Sequence, residues 1–133
     1  REDDLRNMQT GIFGYKGHVH YKPAPCLDEW LAKLDSRIHR NEIFDITAKH
    51  IDREIYKGYR LYPGNYAAAD LLLGDKRFAC KYSEQELQNF EKYIASRIEM
   101  VDLPDKDTAF LRERLLTMYA NPVINKERAL AEE

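Results

Sequence analysis

The spacing of the apolar residues is the sequence feature that most constrains how this chain can fold. Through most of its length they recur at steps of three and four, the period of one helix face. The pattern predicts helices over 3–13 and 26–39, a long helix after Asn41 and a short helix over 66–73. It predicts two more, one that begins near Ser83 and one that is capped by Asp105 or Asp107. We therefore expect a mainly α fold, with about five to six helices packed around one core.

Proline, glycine and capping residues set the expected ends of the helices. Pro63-Gly64 interrupts the long helix, and Gly74 stands where a glycine cap ends the short one. Ser83 is followed three residues later by Glu86, a capping box that marks a helix start. Asn121-Pro122 is expected to stop the last helix, because proline cannot donate a helical hydrogen bond.

Residues 18–21 are the exception to the helical pattern. His18-Val19-His20-Tyr21 alternates polar and β-forming residues and is followed by Pro23 and Pro25, which predicts one short N-terminal β-strand or hairpin. A strand needs a partner for its backbone groups. The partner could be residues 12–15, a second chain, or a sheet outside this sequence, so a homodimer through the exposed strand is expected.

Composition excludes several classes of protein. The 133 residues include 21 Lys and Arg against 23 Asp and Glu, a net charge of 21 − 23 = −2, which argues against a dedicated nucleic-acid binder. No apolar run approaches the roughly 20 residues that cross a bilayer. Cys26 and Cys80 have no metal or redox spacing and fit a reducing compartment. We expect a cytoplasmic protein or one peripheral at the inner face of the membrane.

The histidines and glycines do not form a complete catalytic or metal motif. His18 and His20 would share one strand face, but a metal site needs a third or fourth ligand, and none is evident nearby. The spacing of Gly11, Gly14 and Gly17 does not match a dinucleotide or phosphate-binding loop. No metal, cofactor or catalytic residue is therefore predicted.

The segment 53–82 combines cations with aromatic residues. It holds six Lys and Arg and three Asp and Glu, so its local charge is 6 − 3 = +3. Cations beside tyrosines suit phosphate groups or a membrane interface. They equally suit a core in which tyrosines pack inward and the cations reach solvent. For the first interpretation the candidate binding residues are Lys57, Arg60, Tyr62, Asn65, Tyr66 and Arg77.

Three blocks together resemble a known family: GIFGYKGHVHYKP at 11–23, HIDREIYKGYRLYPGNYAAADLLLG at 50–74 and DLPDKDTAFLRERLLTMYANPVINK at 102–126. They are similar to the C-terminal part of bacterial glycerol acyltransferase proteins, relatives of the lysophosphatidic acid acyltransferases. The resemblance implies phospholipid biosynthesis: acyl transfer from acyl-CoA or acyl-carrier protein to a hydroxyl acceptor.

The catalytic signature of that family, a His followed by four residues and an Asp, is absent. Five positions after the four histidines stand Pro23, Pro25, Phe44 and Ile55. The resemblance thus implies an accessory region, inactive alone, whose partner is an upstream catalytic domain of the same polypeptide. In this interpretation 1–25 is a helix plus orphan strand left from that domain, 26–126 is a helical accessory domain, and 127–133 is a frayed tail.

Two further expectations concern partners. The basic aromatic segment would make peripheral contact with anionic membrane lipid, and nucleic acid is not expected as a partner. The alternative is a stand-alone helical module that binds a protein partner or anionic lipid.

Overall fold

The computed structural model describes residues 2–14 and 17–132 and is mainly helical, as the apolar spacing predicts. In these residues six α-helices follow one another: α1 (Glu2–Phe13), α2 (Leu27–Leu31), α3 (Arg40–Gly58), α4 (Pro63–Leu73), α5 (Glu84–Glu99) and α6 (Thr108–Ala131). A single 3₁₀ turn, Ala79–Lys81, lies between α4 and α5. Among the described residues, no helix combines the length and the apolar composition that a bilayer crossing requires.

The predicted N-terminal strand is wrong. Residues 18–26, which we call the extended segment, form neither helix nor strand, and the described part of the chain contains no β-structure. The proposed hairpin partner is unsuitable because Ile12 belongs to α1; Tyr15 lies outside the described residues. Without a second extended segment the backbone groups of 18–21 have no ladder to join. The strand was expected to pair with a second copy of the chain or to belong to a sheet outside this sequence. Neither expectation has a structural basis in the described residues.

The core lies where α4 packs against α5 and α6. Ala67, Ala68 and Ala69 of α4 are buried, and Ala120 of α6 is buried as well. Small side chains let two helix backbones approach closely, so larger residues can fill the flanks. Those larger buried residues are Phe78, Phe90, Ile94, Leu116 and Val123.

Asn65 fixes the beginning of α4 and ties that helix to α6. Its Oδ1 accepts from the backbone N–H of Tyr62 at 2.9 Å, and its Nδ2 donates to the carbonyl of Tyr119 at 2.9 Å. The sequence places the start of this helix at Tyr66, but α4 begins at Pro63, which suits a first helical position because its missing N–H is not needed there. Gly74 ends α4 at φ +67°, which confirms the glycine cap.

Side chains also satisfy the ends of α5 and α6. Ser83 Oγ accepts from the N–H of Glu86 at 3.3 Å, while Glu86 Oε2 accepts from the N–H of Ser83 at 2.8 Å, so the predicted capping box is confirmed. Asp107 accepts from the N–H of Phe110 at 2.9 Å and begins α6. At the other end of α5, Lys106 Nζ donates to the carbonyls of Ile98, Glu99 and Val101 at 3.0, 3.2 and 3.1 Å.

The expected stop at Asn121-Pro122 is wrong, because α6 continues through Pro122 to Ala131. Proline removes one helical hydrogen bond, whose acceptor would be the carbonyl of Met118. Met118 is 55% exposed, so water can reach that side of the helix. Beyond the proline, Val123 and Ala129 are buried. Part of the segment expected to fray is therefore helical and packed, while the division of the chain at residues 25 and 126 stays a prediction.

The helix predicted over 26–39 is shorter than expected. Only α2, Leu27–Leu31, is helical, and turns follow. Asp35 Oδ1 accepts from the N–H of Arg37 at 2.9 Å. An aspartate that bonds the backbone two residues on stabilises a turn in competition with the helix.

Two predicted apolar stripes lie on the surface. Every residue of α1 is exposed, including Leu5, Met8 and Ile12. On α3, Phe44, Ile51 and Ile55 are 60%, 40% and 48% exposed. The half-buried residues of α3 lie instead on the neighbouring, more polar face, which includes His50 and Arg53. The periodicity therefore predicts these helices correctly but not the face that is covered.

Candidate functional site

A groove of about 340 Å³ lies at the C-terminal end of α3, where the extended N-terminal segment passes over it. We call it the basic groove. It is lined by His20, Lys22, Pro23, Ala24 and Pro25 from the extended segment and by Glu54, Ile55, Lys57, Gly58, Tyr59 and Arg60 from the end of α3.

The backbone around Gly58 explains why the groove forms there. Helix α3 ends at Gly58, and Tyr59 turns to an extended conformation (φ −56°, ψ 129°), so that Arg60 leaves the helix axis. The side chain of Lys22 lies against Gly58: a Cβ added there would be 3.5 Å from Lys22 Cδ. Lys126 of α6 donates to the Tyr59 carbonyl at 2.6 Å and holds this turn against the body of the protein.

The basic groove has an excess of positive charge. Lys22, Lys57 and Arg60 are its cations, and Glu54 is the one acid among the described residues that line it. Lys57 Nζ lies 3.7 Å from Glu54 Oε1, one helical turn away. The guanidinium of Arg60 lies 5.8 Å from the ring centroid of Tyr62, a cation–π geometry that leaves Arg60 exposed.

The two histidines of the extended segment have different neighbours. The ring of His18 stacks on that of Tyr62, with 6.1 Å between centroids and 13° between planes. His20 lines the basic groove. Among the described residues, no three His, Cys, Asp or Glu side chains come together as a metal site.

The structure brings three of the six predicted binding residues together. Lys57 and Arg60 line the basic groove, and Tyr62 lies beside Arg60. Their binding role stays a prediction.

The other three predicted residues make structural contacts elsewhere. Asn65 bonds Tyr62 and Tyr119, as described above. The ring of Tyr66 packs on Phe78 at 5.5 Å between centroids. Arg77 Nε bonds Asp75 Oδ2 at 2.9 Å, and its guanidinium lies 5.8 Å from the Phe78 ring centroid.

Sequence reasoning missed His20 and Lys22 as members of the groove. Both were assigned to, or next to, a strand, and Lys22 is 35 positions before Lys57. No local spacing connects them. The only available signal was the pair Lys22-Pro23, a cation held in an extended segment by a proline.

Asp70 explains why much of the basic aromatic segment is structural. This buried carboxylate accepts from the N–H of Phe78 at 3.1 and 3.2 Å and from the hydroxyl of Tyr82 at 2.8 Å. Burial and the hydrogen bond to Asp70 raise the pKa of Tyr82 to about 12. The network fixes the connection between α4 and α5, so its aromatic residues serve the fold.

Comparison of the chain with known protein families, curated proteins and solved structures finds no match. The resemblance to glycerol acyltransferases therefore stays a prediction that depends on the three sequence blocks.

Proposed function

We propose that the chain is the C-terminal helical region of a glycerolipid-type acyltransferase, and that the basic groove binds the phosphate-bearing head group of an anionic lipid. The observation that carries the proposal is the meeting of Lys22, Lys57 and Arg60 at one groove. Lysine and arginine form charge-assisted hydrogen bonds to phosphate oxygens.

The apolar surroundings of the groove favour a lipid over a fully hydrated anion. Ile55 and Pro23 line it together with Tyr59. Ile55 is also the end of the exposed stripe that runs back along α3 to Phe44. An amphipathic ligand could place its head group among the cations and its chain on this stripe. The protein would then act peripherally at the inner face of the membrane.

Acyl transfer requires a general base that removes the proton of the acceptor hydroxyl. This chain does not contain the His and Asp pattern that supplies this base in the family. The region would position the lipid, and an upstream domain would perform the chemistry. The uncovered apolar stripe of α1 supports this arrangement, because a packed domain beside it would remove Leu5, Met8 and Ile12 from water.

Vesicle co-sedimentation tests the binding step. We expect the protein to pellet with phosphatidylcholine vesicles that contain phosphatidic acid, and far less with phosphatidylcholine alone. The double variant Lys22→Gln/Arg60→Gln should lose this difference. Lys33→Gln/Arg37→Gln is the control, because it removes the same charge from exposed residues that do not line the groove. Equal pelleting of both double variants would refute the groove as the lipid site.

The intact mass of the protein in its native cell tests the parent assignment. A mass well above 15.7 kDa, with acyl transfer by the whole protein and none by this chain alone, is the expected result. A mass near 15.7 kDa would favour the stand-alone module. Acyl transfer by this chain alone would overturn the accessory role.

A further inference from the structure

A second groove lies between α3 and the last turns of α6. It consists of two adjoining cavities of about 220 and 270 Å³, and Lys49, Arg53 and Glu132 line both of them. Trp30 and His50 line one cavity, and Tyr56 lines the other. We call it the α3/α6 groove. It shares no lining residue with the basic groove, so ligand binding in the α3/α6 groove does not depend on the proposed function.

Arg53 has a buried hydrogen-bond donor that the described part of the fold leaves unsatisfied. Its Nε is buried and has no acceptor among the described residues. Its Nη2 makes only a long contact, 3.5 Å, with Nδ1 of His50. A buried donor that lacks an acceptor is destabilising, so an acceptor that enters beside this guanidinium is favoured.

The charges around Arg53 select the kind of acceptor. Among the described residues, the α3/α6 groove is lined by the cations Lys49, Arg53 and Arg128 and by the acids Asp52 and Glu132, a balance of 3 − 2 = +1. A singly charged anion neutralises that balance, whereas a dianion would leave the groove with a net charge of −1 and costs more to remove from water. The planar guanidinium also matches the two oxygens of a carboxylate. We propose that the α3/α6 groove binds the carboxylate group of a small molecule, with Arg53 as its principal partner.

The groove contains its own spectroscopic reporter. Trp30 is the only tryptophan of the sequence. Its ring stacks on that of His50, with 4.0 Å between centroids and 4° between planes. Because His50 contacts Arg53, a carboxylate that draws the guanidinium away changes the environment of the stack. Tryptophan fluorescence therefore reports on binding.

The experiment is a fluorescence titration with sodium acetate and sodium butyrate at constant ionic strength, set with sodium chloride. We expect a saturable change with either carboxylate and a weaker response to inorganic phosphate. The Nε–H resonance of Arg53 should shift along the same curve. A response that never saturates, or one as strong with phosphate as with acetate, would overturn the carboxylate assignment.

Point variants test whether the fluorescence change arises from binding in the α3/α6 groove. Arg53→Gln should weaken acetate binding about tenfold or more, because a hydrogen bond to a charged group is lost. Arg37→Gln is the control, since that side chain is 92% exposed and does not line the groove. Glu132→Gln should bind about twofold to fivefold more tightly, because it removes a competing charge.

Two outcomes of the variant series would count against the site. Unchanged binding in Arg53→Gln removes the principal partner. Weaker binding in Glu132→Gln reverses the expected electrostatic order. If circular dichroism shows that Arg53→Gln is unfolded, Arg128→Gln replaces it and should weaken acetate binding about twofold to fivefold; unchanged binding there would equally overturn the site.

Discussion

The ammonium group of Lys126 lies 2.6 Å from the carbonyl oxygen of Tyr59, and this hydrogen bond joins α6 to the turn that shapes the basic groove. The two residues are 67 positions apart. The groove is therefore positioned by the last helix of the fold as well as by α3.

Replacement of Lys126 by methionine should weaken both the fold and the groove. The variant keeps the aliphatic chain but loses a charge-assisted hydrogen bond, so we expect the free energy of unfolding to fall by about 1–2 kcal/mol. Urea denaturation measures it. Lys92→Met is the control because Lys92 is exposed on α5. Equal stability of the two variants would show that the Lys126 contact contributes little.

Gly74→Ala should destabilise the protein by about 1 kcal/mol, because an L-residue at φ +67° brings its Cβ close to the backbone. Apart from the residue itself and its two chain neighbours, no heavy atom lies within 4 Å of the added Cβ, so the effect is conformational and not a packing clash. Thermal and urea unfolding measure the loss. Gly11→Ala is the matched control: its site is equally open and lies in the exposed helix α1. A loss in the control as large as in Gly74→Ala would contradict the conformational argument.

Tyr82 should make the stability of the protein depend on pH in the alkaline range. Burial and the bond to Asp70 raise its pKa from the ordinary value of 10.0 to about 12. The folded state thus holds a proton that the unfolded state loses first. The contribution of Tyr82 is fully present below pH 10 and disappears as the pH rises through about 12.

Comparison of the wild type with Tyr82→Phe isolates that contribution. The difference in unfolding free energy should be constant below pH 10 and change above it. Tyr21→Phe is the control, because Tyr21 is 88% exposed. A flat difference for Tyr82→Phe up to pH 12 would contradict the raised pKa.

Glu86 should make the stability of the protein depend on pH in the acidic range, with the opposite sign to Tyr82. Hydrogen bonds from the backbone N–H and the hydroxyl of Ser83 hold the pKa of Glu86 below its ordinary value. The carboxylate therefore stabilises the start of α5 above its ordinary pKa of 4.5, and this stabilisation is lost as the pH falls through the lower folded value.

The measurement is the urea midpoint of Glu86→Gln and of the wild type from neutral to acidic pH. We expect the variant to be less stable at neutral pH and the gap to close in acid. Glu84→Gln, in the same helical turn, is the control. A gap that widens in acid would reverse the sign of this argument.

The parts of the fold that depend on local chemistry could be predicted from the sequence. Ser83 with Glu86, Gly74 and Asp107 each satisfy or end a helix through contacts within a few residues. The first two were predicted correctly, and Asp107 was one of two candidates, with Asp105, for the cap of α6. The strand at 18–21 was wrong because its pattern is local but its existence depends on a distant partner.

The covered faces and the groove could not be predicted for the same reason. The apolar spacing of α3 points to Phe44 and Ile51, yet tertiary packing leaves these residues exposed and partly covers the neighbouring face. Lys22 and Lys57 meet only because the extended segment passes over Gly58, a contact that no spacing encodes.

The packing of α4 on α6 also limits when the core can form while the chain is being synthesised. The alanines at 67–69 leave the ribosome about 50 residues before Leu116, Ala120 and Val123, the α6 side chains in their core cluster. At translation rates of about 5–20 residues per second, that interval lasts roughly 3–10 seconds. Until then the apolar surface of α4 that packs on α6 stays uncovered, so the core of the nascent chain cannot close before α6 has emerged.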